Sequence, residues 1–212
     1  AFRAQFGADL QTRIVELARS SGTTPFMVVH AGFALLLSRL SNTTDIVVGT
    51  PVAGRGDAAL DDLVGMFVNT LVLRTEVDAD ETFAAFLTRV RSVDLGAFGH
   101  ADVPFERLVE ALDVERSQAR NPLFQVSLSF QGRSTTSLDL GDLTIAPVDT
   151  DYAAAKFDLE VTVAESVTES GEAAGLGIEI IYATDMFDEN TVASFVERFE
   201  RVLAAATAAP AT

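Results

Sequence analysis

The run Val64-Gly65-Met66-Phe67-Val68-Asn69-Thr70-Leu71-Val72-Leu73-Arg74 limits the folds open to this chain more than any other stretch. Its apolar majority reads as a core strand, Val64 to Thr75, with one glycine and one amide side chain set into it. A buried amide left unpaired costs about 1–3 kcal/mol, so Asn69 either satisfies backbone groups at a bend or faces a cavity that receives a polar ligand. Gly65 marks a bulge or a close backbone approach.

With 212 residues, 48% of them hydrophobic, the chain has enough apolar surface for one large or two modest cores. Its formal net charge of -16 excludes a nucleic-acid partner, because phosphate binding rests on clustered Lys and Arg. The absence of cysteine removes disulfides, thiolate chemistry and Cys-based metal sites, and fits a cytoplasmic location. The longest apolar run, around Ala31 to Leu37, is far short of the roughly 20 residues of a bilayer span, so no membrane partner is expected. Ala1 is not an initiator methionine and no signal peptide follows it, so the chain reads as a piece of a longer polypeptide.

After an extended lead-in between Phe2 and Phe6, Leu10, Ile14 and Leu17 fall at helical spacing, with Gly22 as a stop. Thr24 caps a second helix, Pro25 occupies its first position, and its apolar residues cover several faces. His30 lies inside that helix with no His, Asp or Glu three or four residues on, which reads as a hydrogen-bonded core histidine. Asp45 to Gly49 is a doubly covered strand, and Gly54-Arg55-Gly56 in the loop beyond it is too incomplete for a phosphate cradle. Asp80 is placed as the cap of a helix carrying Phe83, Phe86, Leu87 and Val90. His100 and Asp102 precede a short helix opened by Pro104, and local capping is the preferred reading of that pair.

Beyond Arg120-Asn121-Pro122 the chain alternates strictly. Phe124, Val126, Leu128 and Phe130 take one face, and Gln125, Ser127, Ser129 and Gln131 the other. The second face carries no charge, which favours a solvated channel over open surface. Residues Gly132 to Ala155 form an excursion, with Leu138, Leu140, Leu143 and Ile145 alternating within it. Strands follow at Lys156 to Ala164 and Leu176 to Tyr182, joined by a loop from Glu165 to Gly175. Asp188 caps a last helix, and Ala204 to Thr212 trails off as a linker. Helices and strands in this order predict one α/β domain: a mixed β-sheet with helices packed against it.

Three motifs in order now resemble those of the condensation domains of nonribosomal peptide synthetases. Val64 to Leu71 with Arg74 looks like that family's fifth core motif, His100-Ala101-Asp102-Val103-Pro104-Phe105-Glu106 like its sixth, and Arg120-Asn121-Pro122-Leu123 like its seventh. Gly49 to Arg55, Lys156-Phe157-Asp158-Leu159 and Tyr182 to Phe187 also look familial, so the likeness covers nearly the whole chain. It implies one lobe of a chloramphenicol acetyltransferase-like fold. The family's His-His-x-x-x-Asp-Gly signature is absent, and neither His30 nor His100 stands in such a context, so no catalytic residue is assigned here. The resemblance therefore implies a C-terminal lobe over residues 1–206, with 207–212 as a linker to the next domain.

The family joins a donor thioester to an acceptor amine, both held on phosphopantetheine arms of carrier proteins. No cofactor or metal is expected to bind the lobe directly, and the lobe alone is expected to be inactive. The implied partners are the N-terminal lobe of the same domain, the upstream and downstream peptidyl carrier proteins, and a following adenylation domain. Asn69 and Gly65 would border the substrate channel, with Ser127, Ser129 and Gln131 added from the alternation. Arg74, Glu106, Arg120 and Asp158 would hold loops or helix entries by paired charges, beside Pro104, Phe105, Asn121 and Pro122. The excursion from Gly132 is where a segment reaching the other lobe is expected. Phe67 to Thr70 favour ordinary condensation over epimerisation or heterocyclisation. The competing readings are a non-catalytic module that docks carrier proteins or a tailoring enzyme, and a free-standing transferase of the same superfamily.

Overall fold

The computed structural model describes residues 1–56, 58–114, 117, 120–132, 154–168 and 170–212. The excursion's alternating leucines and Ile145 lie outside the described residues. Strand β1 (Phe2–Phe6) leads into helices α1 (Ala8–Ser20) and α2 (Pro25–Ser41), and strand β2 (Asp45–Val52) follows. A single 3-10 turn (Ala58–Leu60) precedes strand β3 (Asn69–Glu76), then helices α3 (Phe83–Phe98) and α4 (Phe105–Ala111). Strands β4 (Val126–Gln131), β5 (Leu159–Val167) and β6 (Ala173–Tyr182) and helix α5 (Glu189–Ala208) complete the described elements.

The strands form one six-stranded sheet in the order β1-β6-β5-β4-β2-β3. Strand β4 runs parallel to both β2 and β5, whereas the β1–β6, β5–β6 and β2–β3 pairs are antiparallel, so the sheet is mixed as expected. Helices α1, α2 and α5 share a core with the apolar face of this sheet: Phe6, Val48, Leu128, Val161, Val163 and Ile178 meet Ile14, Val29, Phe33, Val196, Phe199 and Leu203. Side chains at alternate positions point to opposite faces of a strand. Ser127, Ser129 and Gln131 therefore stand on the face opposite Leu128 and Phe130, beside Glu160, Thr162 and Ala164 of β5.

Several boundaries differ from the expectation, among them the end of β2, which continues to Val52. Strand β3 begins at Asn69, paired with Val52, and residues 64–68 are not in the sheet. Polar contacts explain this: the Arg55 guanidinium donates to the carbonyls of Leu60 and Leu63 and lies 4.3 Å above the Phe67 ring, drawing residues 60–67 onto Arg55. Gly54, at φ +64°, is required there, since a Cβ would stand 1.7 Å from the Phe67 carbonyl oxygen. Helix α3 is capped by Thr82, whose hydroxyl accepts from Ala85 N; Asp78, not a helix, receives the Asp80 N–H.

Phe124 leaves the alternation. It precedes a strand that starts only at Val126, follows Leu123 at φ +69°, and packs with Phe105 and Phe157 over Gly49. Strands β5 and β6 run closer to their turn than expected, so Glu165 is a strand residue opposite Leu176. Helix α5 continues through Ala204 to Ala208, because alanine is the best helix former and Ala206 is buried against the core. The segment beyond is tied down rather than free: Phe83 N donates to Thr212 O and Ala84 N to Pro210 O, in the first turn of α3.

Candidate functional site

The parallel strands β2, β4 and β5 end together, and ligand crevices of α/β sheets lie outside such carboxyl ends. There the helix layer stops short of the sheet edge and leaves an open groove of about 740 Å³. Its walls are the start of α2 (Thr24 to Met27), the end of β2 and the loop beyond (Thr50 to Gly56), the end of α3 with Ala101, and the last residues of β4 and β5. The α2 wall is set by sequence: the Thr24 hydroxyl accepts from Met27 N, and Pro25 fits the first turn.

Aromatic rings dominate the surface. Phe26 meets Phe98 edge-on at 6.0 Å and Phe130 at 6.5 Å between ring centroids. Leu95 and Phe98 remain 47% and 41% exposed, so the apolar lining is open to solvent. Beneath Phe26, and stacked on it, lies His30. Its Nδ1 is 3.0 and 3.2 Å from the two carboxylate oxygens of Asp94 on α3, and both side chains are wholly buried. His30 is a core histidine, as its surroundings in sequence suggested; its partner, 64 positions away, was not visible there.

The five proposed channel residues do not line this groove. Asn69 stands just behind its wall. The Asn69 Nδ2 donates to the carbonyls of Ala101 (2.9 Å) and Val103 (2.7 Å), and its Oδ1 accepts from Phe105 N at 3.2 Å. Its amide thereby fixes the loop that delivers Ala101 to the groove and starts α4. Pro104 is the N-cap residue of α4, and no side chain of the local segment caps it. His100 and Asp102 are both exposed and are not hydrogen-bonded to each other, so the capping expected of them is carried out by Asn69 from across the sheet. Gly65 is exposed, and a Cβ there would meet the Phe67 ring. Ser127 and Ser129 are half-buried and Gln131 exposed on the opposite sheet face.

The residues assigned to framework roles separate. Arg74 grips Asp45 with two hydrogen bonds, Nε to Oδ1 at 2.9 Å and Nη2 to Oδ2 at 2.8 Å. This pairing holds the Asp45 carboxyl below its ordinary range and raises the Arg74 guanidinium. Glu106, Arg120 and Asp158 form no ion pair among the described residues, and Asp158 acts through its backbone, bonded to Gln125 and Ala183. Asn121 Nδ2 donates to Lys156 O, joining the entries of β4 and β5. Among the described residues no cluster of His, Asp or Glu could hold a metal, and no single helix is long and apolar enough to cross a membrane.

A six-stranded mixed sheet with helices packed on it matches the chloramphenicol acetyltransferase-like condensation folds. The condensation-domain family profile matches residues 1–212. The chain is 45% identical over 203 residues to an isonitrile lipopeptide synthase of Mycobacterium tuberculosis (strain ATCC 25618 / H37Rv), covering 96% of this chain and 8% of that one. It is 43% identical over 202 residues to a dimodular nonribosomal peptide synthase of Bacillus subtilis (strain 168), covering 95% of this chain and 8% of that one. Among solved structures, the X-domain in its complex with OxyB from teicoplanin biosynthesis superposes with a TM-score of 0.89 at 30% identity, over 99% of this chain and 46% of that one. The chain belongs to the condensation-domain family of nonribosomal peptide synthetases. It spans less than half of the solved relative and under a tenth of these two synthetases.

Proposed function

We propose that this chain is the C-terminal lobe of a condensation domain and forms one wall of a cleft in which a peptide bond is made. The observation that carries this reading is the groove of about 740 Å³ at the carboxyl ends of β2, β4 and β5, open on one side, in a chain matching 46% of a solved relative. In the reaction, the amine nitrogen of a carrier-bound acceptor attacks the donor's thioester carbonyl. The carbon–sulfur bond breaks, and the departing pantetheine thiolate takes up the proton that the amine loses.

The reactive imidazole belongs to the N-terminal lobe, and this wall gains rate by holding two tethered reactants together. Residues Ser127, Ser129 and Gln131, on the sheet face away from the groove, offer hydroxyls and an amide suited to the carbonyls of a pantetheine arm passing on that side. Asn69 and Gly65 serve by shaping the neighbouring loops. The carrier proteins and the adenylation domain are partners of the whole synthetase. A second reading, a non-catalytic docking module, is favoured by the likeness to the X-domain, which was solved in complex with OxyB.

The test is the intact domain, supplied with donor and acceptor carrier proteins preloaded with aminoacyl groups. Amide formation, abolished when the histidine of the N-terminal lobe is replaced, is the expected result. Domain that binds both carriers yet leaves the loaded groups unjoined would overturn the catalytic reading in favour of docking.

A further inference from the structure

The groove carries one feature that a passive wall does not need. Glu165 is the only carboxylate among its described lining residues, set at the end of β5 on the same sheet face as Phe130 and the fully buried Val163. It is half-buried, and no hydrogen bond or ion pair joins its carboxylate to any described residue. The one cation in the lining, Arg55, is already engaged by the Leu60 and Leu63 carbonyls and by the Phe67 ring. Among the described residues, Glu165 thus lines an apolar, aromatic space with no cation paired to it.

An unpaired carboxylate beside exposed ring faces is complementary to an ammonium or amine carried on an apolar group. The carboxylate accepts charge-assisted hydrogen bonds from it. The rings attract a cation through their π faces, and the remaining apolar lining covers the substituent. A thioester would leave Glu165 unanswered, an anionic group would be repelled, and a hydroxyl would bring a single neutral donor without the positive charge.

We propose that Glu165, with Phe26, Phe98 and Phe130, forms a subsite that selects a primary amine bearing an apolar side chain. Resting on the lobe reading above, the occupant is the amino end of the aminoacyl acceptor. Glu165 holds that nitrogen and determines which acceptors enter; the bond-making step belongs to groups outside this groove.

The experiment uses the intact domain and two probes of equal shape, 2-phenylethylamine and 2-phenylethanol, with affinities read by titration calorimetry. The amine binds the wild type about tenfold more tightly than the alcohol, the gain of a charged donor over a neutral one at a carboxylate. Glu165→Gln, which keeps shape and removes charge, erases that difference and leaves the alcohol's affinity unchanged. Glu165→Asp retains part of it and serves if the Gln variant fails to fold, and Phe98→Ala weakens both probes. Equal binding of the two probes to wild type, or an amine preference that survives Glu165→Gln, overturns the proposal. The lobe reading fails separately: an amine preference in a domain that forms no amide from loaded carriers leaves the subsite standing within a docking module.

Discussion

Asn69 shows how much one side chain can hold. Two carbonyls and one N–H from the segment 101–105 meet a single amide, so Asn69→Ala leaves three backbone groups without their partner. That variant is expected to lose on the order of 2–3 kcal/mol of stability in denaturant titration, and Asn69→Asp at least as much, because a carboxylate would face the Ala101 and Val103 carbonyls. A fully stable Asn69→Ala would show that the clamp is dispensable. An amide inside an apolar run is readable as a residue with something to satisfy. What it satisfies lies 32 to 36 positions away, and local pattern carries no information at that range. The same holds for Asp94, which looks like an ordinary helix acid until its fold brings it to His30. Removing one partner of a wholly buried pair costs about 3–5 kcal/mol, whereas replacing both by apolar residues is often close to neutral. Asp94→Leu alone is therefore expected to destabilise strongly, and His30→Leu with Asp94→Leu to recover most of that loss in thermal melts.

Helix ends and loops are where elements were easiest and hardest to read. Caps at Thr24 and Asp188 follow from short-range chemistry, and both are in place. The Asp188 carboxylate accepts from Thr191 N at 2.7 Å, and that hydrogen bond holds its acid form below the ordinary range. A group lowered in the folded state adds stability above its unfolded value, about 4 for aspartate, and loses it as pH falls through the folded value. Wild type should accordingly hold the first turn of α5 at neutral pH and release it in acid. In Asp188→Asn, amide exchange at Thr191 should lack that acid step, which pH-dependent hydrogen exchange will show. Residues 64–68 were misread as strand because composition alone marks apolar residues for burial. Leu63, Val64, Met66 and Val68 are instead displayed by a loop whose polar centre is Arg55. Arg55→Ala should free this loop, with proteolytic cleavage between residues 60 and 68 appearing well before global unfolding.

Viewed as a whole, the chain has its core on the helix side of the sheet and a set of apolar groups that nothing described covers. Val64 and Met66 are 105% and 88% exposed, Val103 is exposed as well, and Leu95 and Phe98 are exposed in the lining of the groove. Large exposed apolar groups of this kind mark an interaction site, so the chain on its own is expected to self-associate or to bind a hydrophobic dye, and the intact domain to do neither. A dye-silent monomer would argue against a missing partner face. Fold class and element order could be read from periodicity because burial imposes it. The groove could not, since it arises where three strand ends, two helix ends and a loop converge from distant parts of the chain.

The clasp between the C-terminal residues and α3 gives the molecule a lever. Pro210 and Thr212 hold the first turn of a helix of 16 residues, about 24 Å long at 1.5 Å per residue, and its far turn carries Leu95 and Phe98. The last residues of the chain and one wall of the groove are thus fastened to opposite ends of the same rigid rod.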